Sequence, residues 1–175
     1  MSKIVIISGS PTTSSRLFAL TDFAKETLEN EGHHVEHIKV ASLSAEALIK
    51  ADFNHPDIAI ASKVVAEADG VIIASPVYKA TYTGVLKTFL DLLPQKGLAG
   101  KKVLPLFIGG TISHLLAIDY GVKPLLNALG AHTIHTGVYA IDEWVTKDEN
   151  QGYIVQEQLI TRLKQALGEY KAWFN

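Results

Sequence analysis

Lys-Ile-Val-Ile-Ile-Ser-Gly-Ser-Pro-Thr-Thr-Ser-Ser-Arg, residues 3–16, is the stretch that decides the fold. Lys3 to Ile7 is mostly β-branched and apolar, which suits a strand buried on both faces. Polarity then switches at once: residues 8–16 are hydroxyl-rich, Gly9 gives backbone freedom and Pro11 fixes its own φ. From Ser15 onward Leu17, Leu20, Phe23, Ala24 and Leu28 recur on one helical face. A polar loop between a buried strand and a helix N-terminus is a ready anion site, because free N–H groups and the helix dipole point into it. Arg16 adds a cation, so the stretch predicts a bound phosphate. The bland alternative is a strand-to-helix turn with Ser/Thr caps, although nine polar or turn residues in a row exceed what one cap needs.

The same alternation continues along the chain. Residues 34–40 predict a strand near an edge, 42–51 a short helix or turn, and 57–68 a second helix. Val71-Ile72-Ile73-Ala74-Ser75 and residues 102–108 predict two more apolar strands. A helix is expected over 83–93, one continuous helix over 113–129 stopped by Gly130, a last strand region over 132–139 and a closing helix over 156–173. Strand and helix in this order call for one α/β domain, residues 1–175, with a parallel sheet covered on both sides. In such sheets the ligand crevice lies beyond the carboxyl ends of the strands. The three most apolar strands end there in similar loops, residues 8–16, 76–83 and 109–114.

Composition narrows the function. A formal charge of −2 with scattered basic residues gives no push toward nucleic acid. The absence of cysteine excludes disulfides, thiolate nucleophiles and cysteine-ligated metals, and fits a cytoplasmic setting. No basic-then-apolar leader opens the chain and no apolar run approaches about 18 residues, so no signal peptide or membrane span is expected. His33, His34 and His37 lack acidic neighbours that would complete a metal site, so no metal is expected.

The first loop has neither G-x-G-x-x-G nor Gly-Lys-Ser/Thr, so it suits a single phosphate monoester better than a dinucleotide or triphosphate. The second, with Tyr78 and Tyr82 among backbone polar groups, would wall a flat heteroaromatic ring; a surface loop with capping threonines is the alternative. In the third, Gly109-Gly110 would let main chain approach a ligand, with Thr111 and His114 reaching a ring edge. His114 could equally be a helix-start histidine bonded to backbone. Phosphate at one end and a planar ring at the other describe a mononucleotide such as FMN.

Gly-Ser-Pro-Thr-Thr-Ser-Ser-Arg, the run from Ser75 to Pro94 and Gly-Gly-Thr-Ile-Ser-His-Leu-Leu-Ala-Ile-Asp-Tyr resemble the NAD(P)H-dependent FMN reductase family of flavodoxin-like fold. The branch most resembled supplies reduced flavin to alkanesulfonate monooxygenases in sulfur assimilation, and the likeness covers about residues 3–170. It implies a doubly wound five-stranded sheet in the order 2-1-3-4-5. Ser10, Ser15 and Arg16 would hold the FMN phosphate, and Pro76, Val77, Tyr78 and Lys79 would line the ribityl chain and ring. Gly110, Thr111 and His114 would flank the far side. Many members carry Arg where this chain has Thr12, so Arg16 would supply that charge. NADPH or NADH would stack on the ring, with its C4 about 3–3.5 Å from flavin N5. No catalytic acid or base is expected, because the cofactor carries the chemistry.

The resemblance also implies a homodimer or homotetramer and a flavin-dependent monooxygenase as partner. Phe89 and Leu93 would lie in a dimer interface, with Lys87–Asp91 a helix-surface pair or intersubunit contact. Tyr120 would be an inserted residue making a π-bulge at a tetramer contact, or else a plain core tyrosine. An FMN-retaining quinone or azo reductase is the alternative in the same chemical class. A flavodoxin-type electron carrier fits less well at −2, and a phospho-acceptor receiver domain lacks the carboxylates it would need after strand one.

Overall fold

A computed structural model describes residues 1–150 and 152–174. The chain runs β1 (Lys3–Ser8), α1 (Leu17–Asn30), β2 (His34–Lys39), α2 (Ala45–Lys50), α3 (Pro56–Glu67), β3 (Gly70–Pro76), α4 (Gly84–Leu90) and β4 (Lys102–Gly109). A 3₁₀ segment (Ile112–Ala117) and a π-helix (Ile118–Val122) lead into α5 (Lys123–Ala128). Then follow β5 (Thr133–Ile134), β6 (Val138–Ile141), β7 (Val145–Asp148), β8 (Gly152–Val155) and α6 (Glu157–Lys171).

The main sheet is parallel in the order β2-β1-β3-β4-β5, as the resemblance implied. Its fifth position is shared: β5 pairs with β4 at Lys102 and Val103, and β6 pairs with it from Leu106 to Gly109. The expected strand over 132–139 is therefore broken. The break lies opposite Pro105, which has no N–H to offer a neighbour. Gly137 turns there at φ +85, and a Cβ on it would stand 2.8 Å from the Pro105 carbonyl oxygen.

Successive strand residues alternate between two cores. Val5, Ile7, Val71, Ile73, Val103 and Phe107 pack under α3, α4 and α5. Ile4, Ile6, Ile72, Leu104 and Leu106 pack under α1 and α6. This is the doubly wound arrangement, and it explains why these strands read as continuous apolar runs. Phe89 and Leu93 lie in the first of these cores, so the monomer buries them itself and the expected interface role falls away. Lys87 and Asp91 form a helix-surface ion pair at 2.7 Å. Tyr170 is fully buried, edge-on to Trp173 and Phe174. Among the described residues no helix is long and apolar enough to cross a membrane.

Two local devices fix the carboxyl edge of the sheet. Gly9 is required by space, not by a left-handed φ: a Cβ there would meet Leu86 Cβ at 2.4 Å and Thr83 Oγ1 at 2.9 Å. The second device is a tight reversal at Tyr78–Thr81, whose two ends exchange backbone hydrogen bonds at 2.9 and 3.3 Å. Its central residues Lys79 and Ala80 both sit in the left-handed region, at φ 50 and 69. Neither is glycine, so the turn holds strain.

The segment 113–129 departs from a single helix. His114 is non-helical at φ −102, ψ 18, and the five residues from Ile118 wind as a π-helix with Tyr120 79% exposed. The π-bulge is as the resemblance implied, and the tyrosine is not a core residue.

His37 reaches back from β2 to Ser8 Oγ at 2.9 Å. Burial, with the charges of Lys39 and Lys25 adding to it, pushes this imidazole down to about 4.

Gly9→Ala should lower stability by about 1–3 kcal/mol in urea unfolding, through overpacking against Leu86. Ala80→Gly should instead raise it by about 1 kcal/mol, since glycine meets no penalty in the left-handed region. His37 binds a proton more weakly folded than unfolded, so it supports the fold above the ordinary histidine pKa. That support should be lost as pH falls from about 6.5 toward about 4. His37→Gln should flatten the acid limb of a stability-against-pH curve over that window.

Candidate functional site

The loops after β1, β3 and β4 meet at the carboxyl edge, and a buried hydroxyl network holds the first two together. Thr83 Oγ1 donates to the Gly9 carbonyl at 2.6 Å and accepts from the Leu86 amide at 3.1 Å, so it caps α4 and anchors the first loop. Ser75 Oγ accepts from the Thr83 amide at 3.0 Å and donates to the Pro76 carbonyl at 2.8 Å. The third loop is tied by Tyr139, whose hydroxyl donates to the Thr111 carbonyl at 2.8 Å. Burial, with Asp142 nearby, raises that phenol above its ordinary range, so it remains a donor at neutral pH.

A cavity of about 320 Å³ opens between the loops. Of the predicted residues, Ser15, Arg16, Pro76, Val77, Tyr78 and Gly110 line it. Four others do not. Ser10 is buried and closes its own turn, donating to the Thr12 carbonyl and accepting from the Thr12 amide. Lys79 belongs to the strained turn, where it shapes the loop. Thr111 Oγ1 accepts from the Ser113 amide and caps the 3₁₀ segment. His114 sits half-buried at the kink in that segment. Gly109 lines the cavity as well, and it also serves internal packing, since a Cβ there would strike the Tyr139 hydroxyl. Gly110 alone has open space before it, the nearest atom being Asp142 Oδ2 at 3.8 Å.

The sequence reading missed Thr12, Ser14, Asp142 and Lys147 as lining residues. Lys147 belongs to the β7–β8 hairpin, an antiparallel pair outside the main sheet. A signal for it was present: Tyr-Ile-Val after a Gly, preceded by the turn-forming Asp148, Glu149 and Asn150.

The first loop presents what an anion needs. Ser15 Oγ accepts from the Leu17 amide and so marks the start of α1. Among the described residues the amides of Thr13 and Ser14 donate to no acceptor. Arg16 Nε donates to the Val145 carbonyl at 2.8 Å, which holds the guanidinium at the loop mouth, and its terminal nitrogens have no partner among the described residues. Hydroxyls, free amides and cations fit a phosphate monoester. A larger cavity of about 600 Å³ lies at the opposite end of the sheet, against Lys3, His33 and Asp69. It faces the amino ends of the strands, where no comparable loops converge.

Residues 2–146 match the family described as NADPH-dependent FMN reductase. The chain is 42% identical over 165 residues to the FMN reductase (NADPH) of Escherichia coli (strain K12), covering 94% of this chain and 86% of the relative. It is 30% identical over 176 residues to the NADH-dependent FMN reductase SfnF of Pseudomonas putida, covering 98% and 92%. The solved apo form of an NADH:FMN oxidoreductase, EMOB, superposes with a TM-score of 0.88 at 35% identity, over 98% of this chain and 89% of that one. Fold, loop chemistry and likeness agree, and the chain belongs to the NADPH-dependent FMN reductase family.

Proposed function

We propose that this FMN reductase binds flavin across the three loops, phosphate at residues 12–16 and ring beside Val77, Tyr78 and Gly110, and releases the reduced product to a flavin-dependent monooxygenase. The observation that carries the reading is one open cavity with two unlike ends. Ser14, Ser15 and Arg16 give it a hydroxyl and cationic end; Pro76, Val77, Tyr78 and Gly110 give it an apolar and main-chain end. Only a ligand with a charged tail and a flat body uses both.

Bound there, FMN would supply a hydride acceptor for NAD(P)H, chemistry that asks for no acid or base from the protein. The chain's own work is positional. Arg16 and the loop amides neutralise and fix the phosphate. The strained turn at Tyr78–Thr81 holds Tyr78 at the rim in one geometry. Thr83 locks the first two loops to each other, so the two ends of the ligand meet a preset spacing.

Release of the product is supported by how open the site is. Thr12, Ser14, Arg16, Tyr78, Gly110 and Lys147 all face solvent, which suits a ligand that enters and leaves more than a permanent group. The resemblance to the alkanesulfonate branch supplies the class of acceptor. Exposed Ile112, Leu115, Leu116 and Tyr120, beside the site, suit contacts with further copies of the chain.

Anaerobic mixing with FMN and either NADPH or NADH should bleach the oxidised-flavin absorbance in many-fold excess over enzyme, and gel filtration should strip the flavin. Flavin retained through the column and bleached only stoichiometrically would favour the quinone or azo reductase alternative. Arg16→Ala should weaken FMN about tenfold or more while leaving riboflavin little changed. Equal losses for both ligands would put the phosphate elsewhere.

A further inference from the structure

The β7–β8 hairpin makes no ladder with the main sheet. Three hydrogen bonds tie it to the first loop instead. Tyr153 Oη donates to the Ser15 carbonyl at 2.7 Å, Arg16 Nε donates to the Val145 carbonyl at 2.8 Å, and Lys147 Nζ stands 3.5 Å from Ser14 Oγ. These contacts follow from register. Lys147 pairs directly with Tyr153, so their side chains leave the same face of the hairpin. Val145, two residues along on that face, is buried in the core beneath α1 and α6 and fixes the direction.

We propose that Lys147 is a second phosphate ligand of the flavin site, delivered by the hairpin to the anion loop opposite Arg16. The proposal rests on the reading that flavin phosphate occupies residues 12–16. A phosphate monoester carries nearly two negative charges at neutral pH, and the loop itself supplies one cation. The Lys147 ammonium lines the same cavity as Ser15 and Arg16 and has no carboxylate partner among the described residues. Its contact with Ser14 Oγ lies at the long limit of a hydrogen bond and uses one of its three donors, which leaves two for a ligand. Asp142, the carboxylate in the cavity, lies against Gly110 in the third loop. The hairpin thereby acts twice: its backbone and Tyr153 hold Arg16 and Ser15, and Lys147 adds charge. Lys147 stands one residue past the stretch that matches the family.

The test compares dissociation constants for FMN and riboflavin, read by flavin fluorescence, in the intact protein and in Lys147→Gln and Lys147→Arg. Lys147 is exposed, so both variants should keep the parent Tm. Lys147→Gln should weaken FMN about tenfold, leave riboflavin unchanged and lower the salt dependence of FMN binding. Lys147→Arg should restore most of the loss, which a merely structural role would not produce. A parent protein that prefers FMN in an Arg16-dependent way, with an unchanged FMN-to-riboflavin ratio in Lys147→Gln, would overturn the role of Lys147 alone. A parent that binds the two flavins equally would overturn the phosphate reading and this proposal together. A raised KM for NADPH but not NADH, with FMN binding intact, would assign the lysine to the nicotinamide nucleotide and overturn it as well.

Discussion

The Thr83 hydroxyl is the joint on which the carboxyl edge depends. It is 1% exposed, donates to one loop and caps the helix that follows another. An apolar replacement would leave the Gly9 carbonyl and the Leu86 amide buried without partners, which costs more than a hydrogen bond contributes. The bond also demands contact between Gly9 and Leu86 so close that no side chain fits at position 9. One steric constraint and one shared hydroxyl therefore set the distance between the first and second loops across the cavity.

Charge at the site is local. The whole chain carries −2, yet the mouth of the first loop gathers Arg16 and Lys147. Nearby phenols serve as neutral struts. Burial, with Asp22 adding to it, raises the Tyr153 phenol, and Tyr139 is raised likewise, so both donate to loop carbonyls at neutral pH. Neutral phenols thus brace the loops beside Arg16, which spends its Nε on the Val145 carbonyl, and Lys147, which touches Ser14.

The strands and their order were legible because burial on both faces leaves a plain mark: unbroken β-branched runs in β1 and β3 and a nearly unbroken apolar run in β4. The loops were legible as a chemical class, and six of the ten residues assigned to ligand contact do line the cavity. Of the other four, Lys79 sits in the left-handed turn and His114 at a kink, while Ser10 and Thr111 share one reason. Small polar side chains in turns bond their own backbone first, as Ser10 and Thr111 do, and sequence does not distinguish a turn-closing hydroxyl from a ligand-facing one. Gly9 misled differently, since it is glycine to admit a distant side chain, Leu86, and Gly109 has the same added reason in Tyr139. The broken fifth strand and the 3₁₀ winding before the π-bulge stayed hidden, and the bulge itself came only from the resemblance, because hydrophobic spacing survives a local change of winding. The hairpin was short and half-polar, and its importance lies in contacts about 130 residues away in sequence.

The wide turn at Ile118–Val122 bears on how such a molecule diversifies. Ile118 and Val122 at its ends both stay in the core, while Asp119 and Tyr120 between them face outward. A single added codon can be absorbed in this way as a local swelling, without turning the downstream helix off its packing face. Surface chemistry next to the loop cavity can then be revised by the smallest possible genetic length change, and undone by the reverse one.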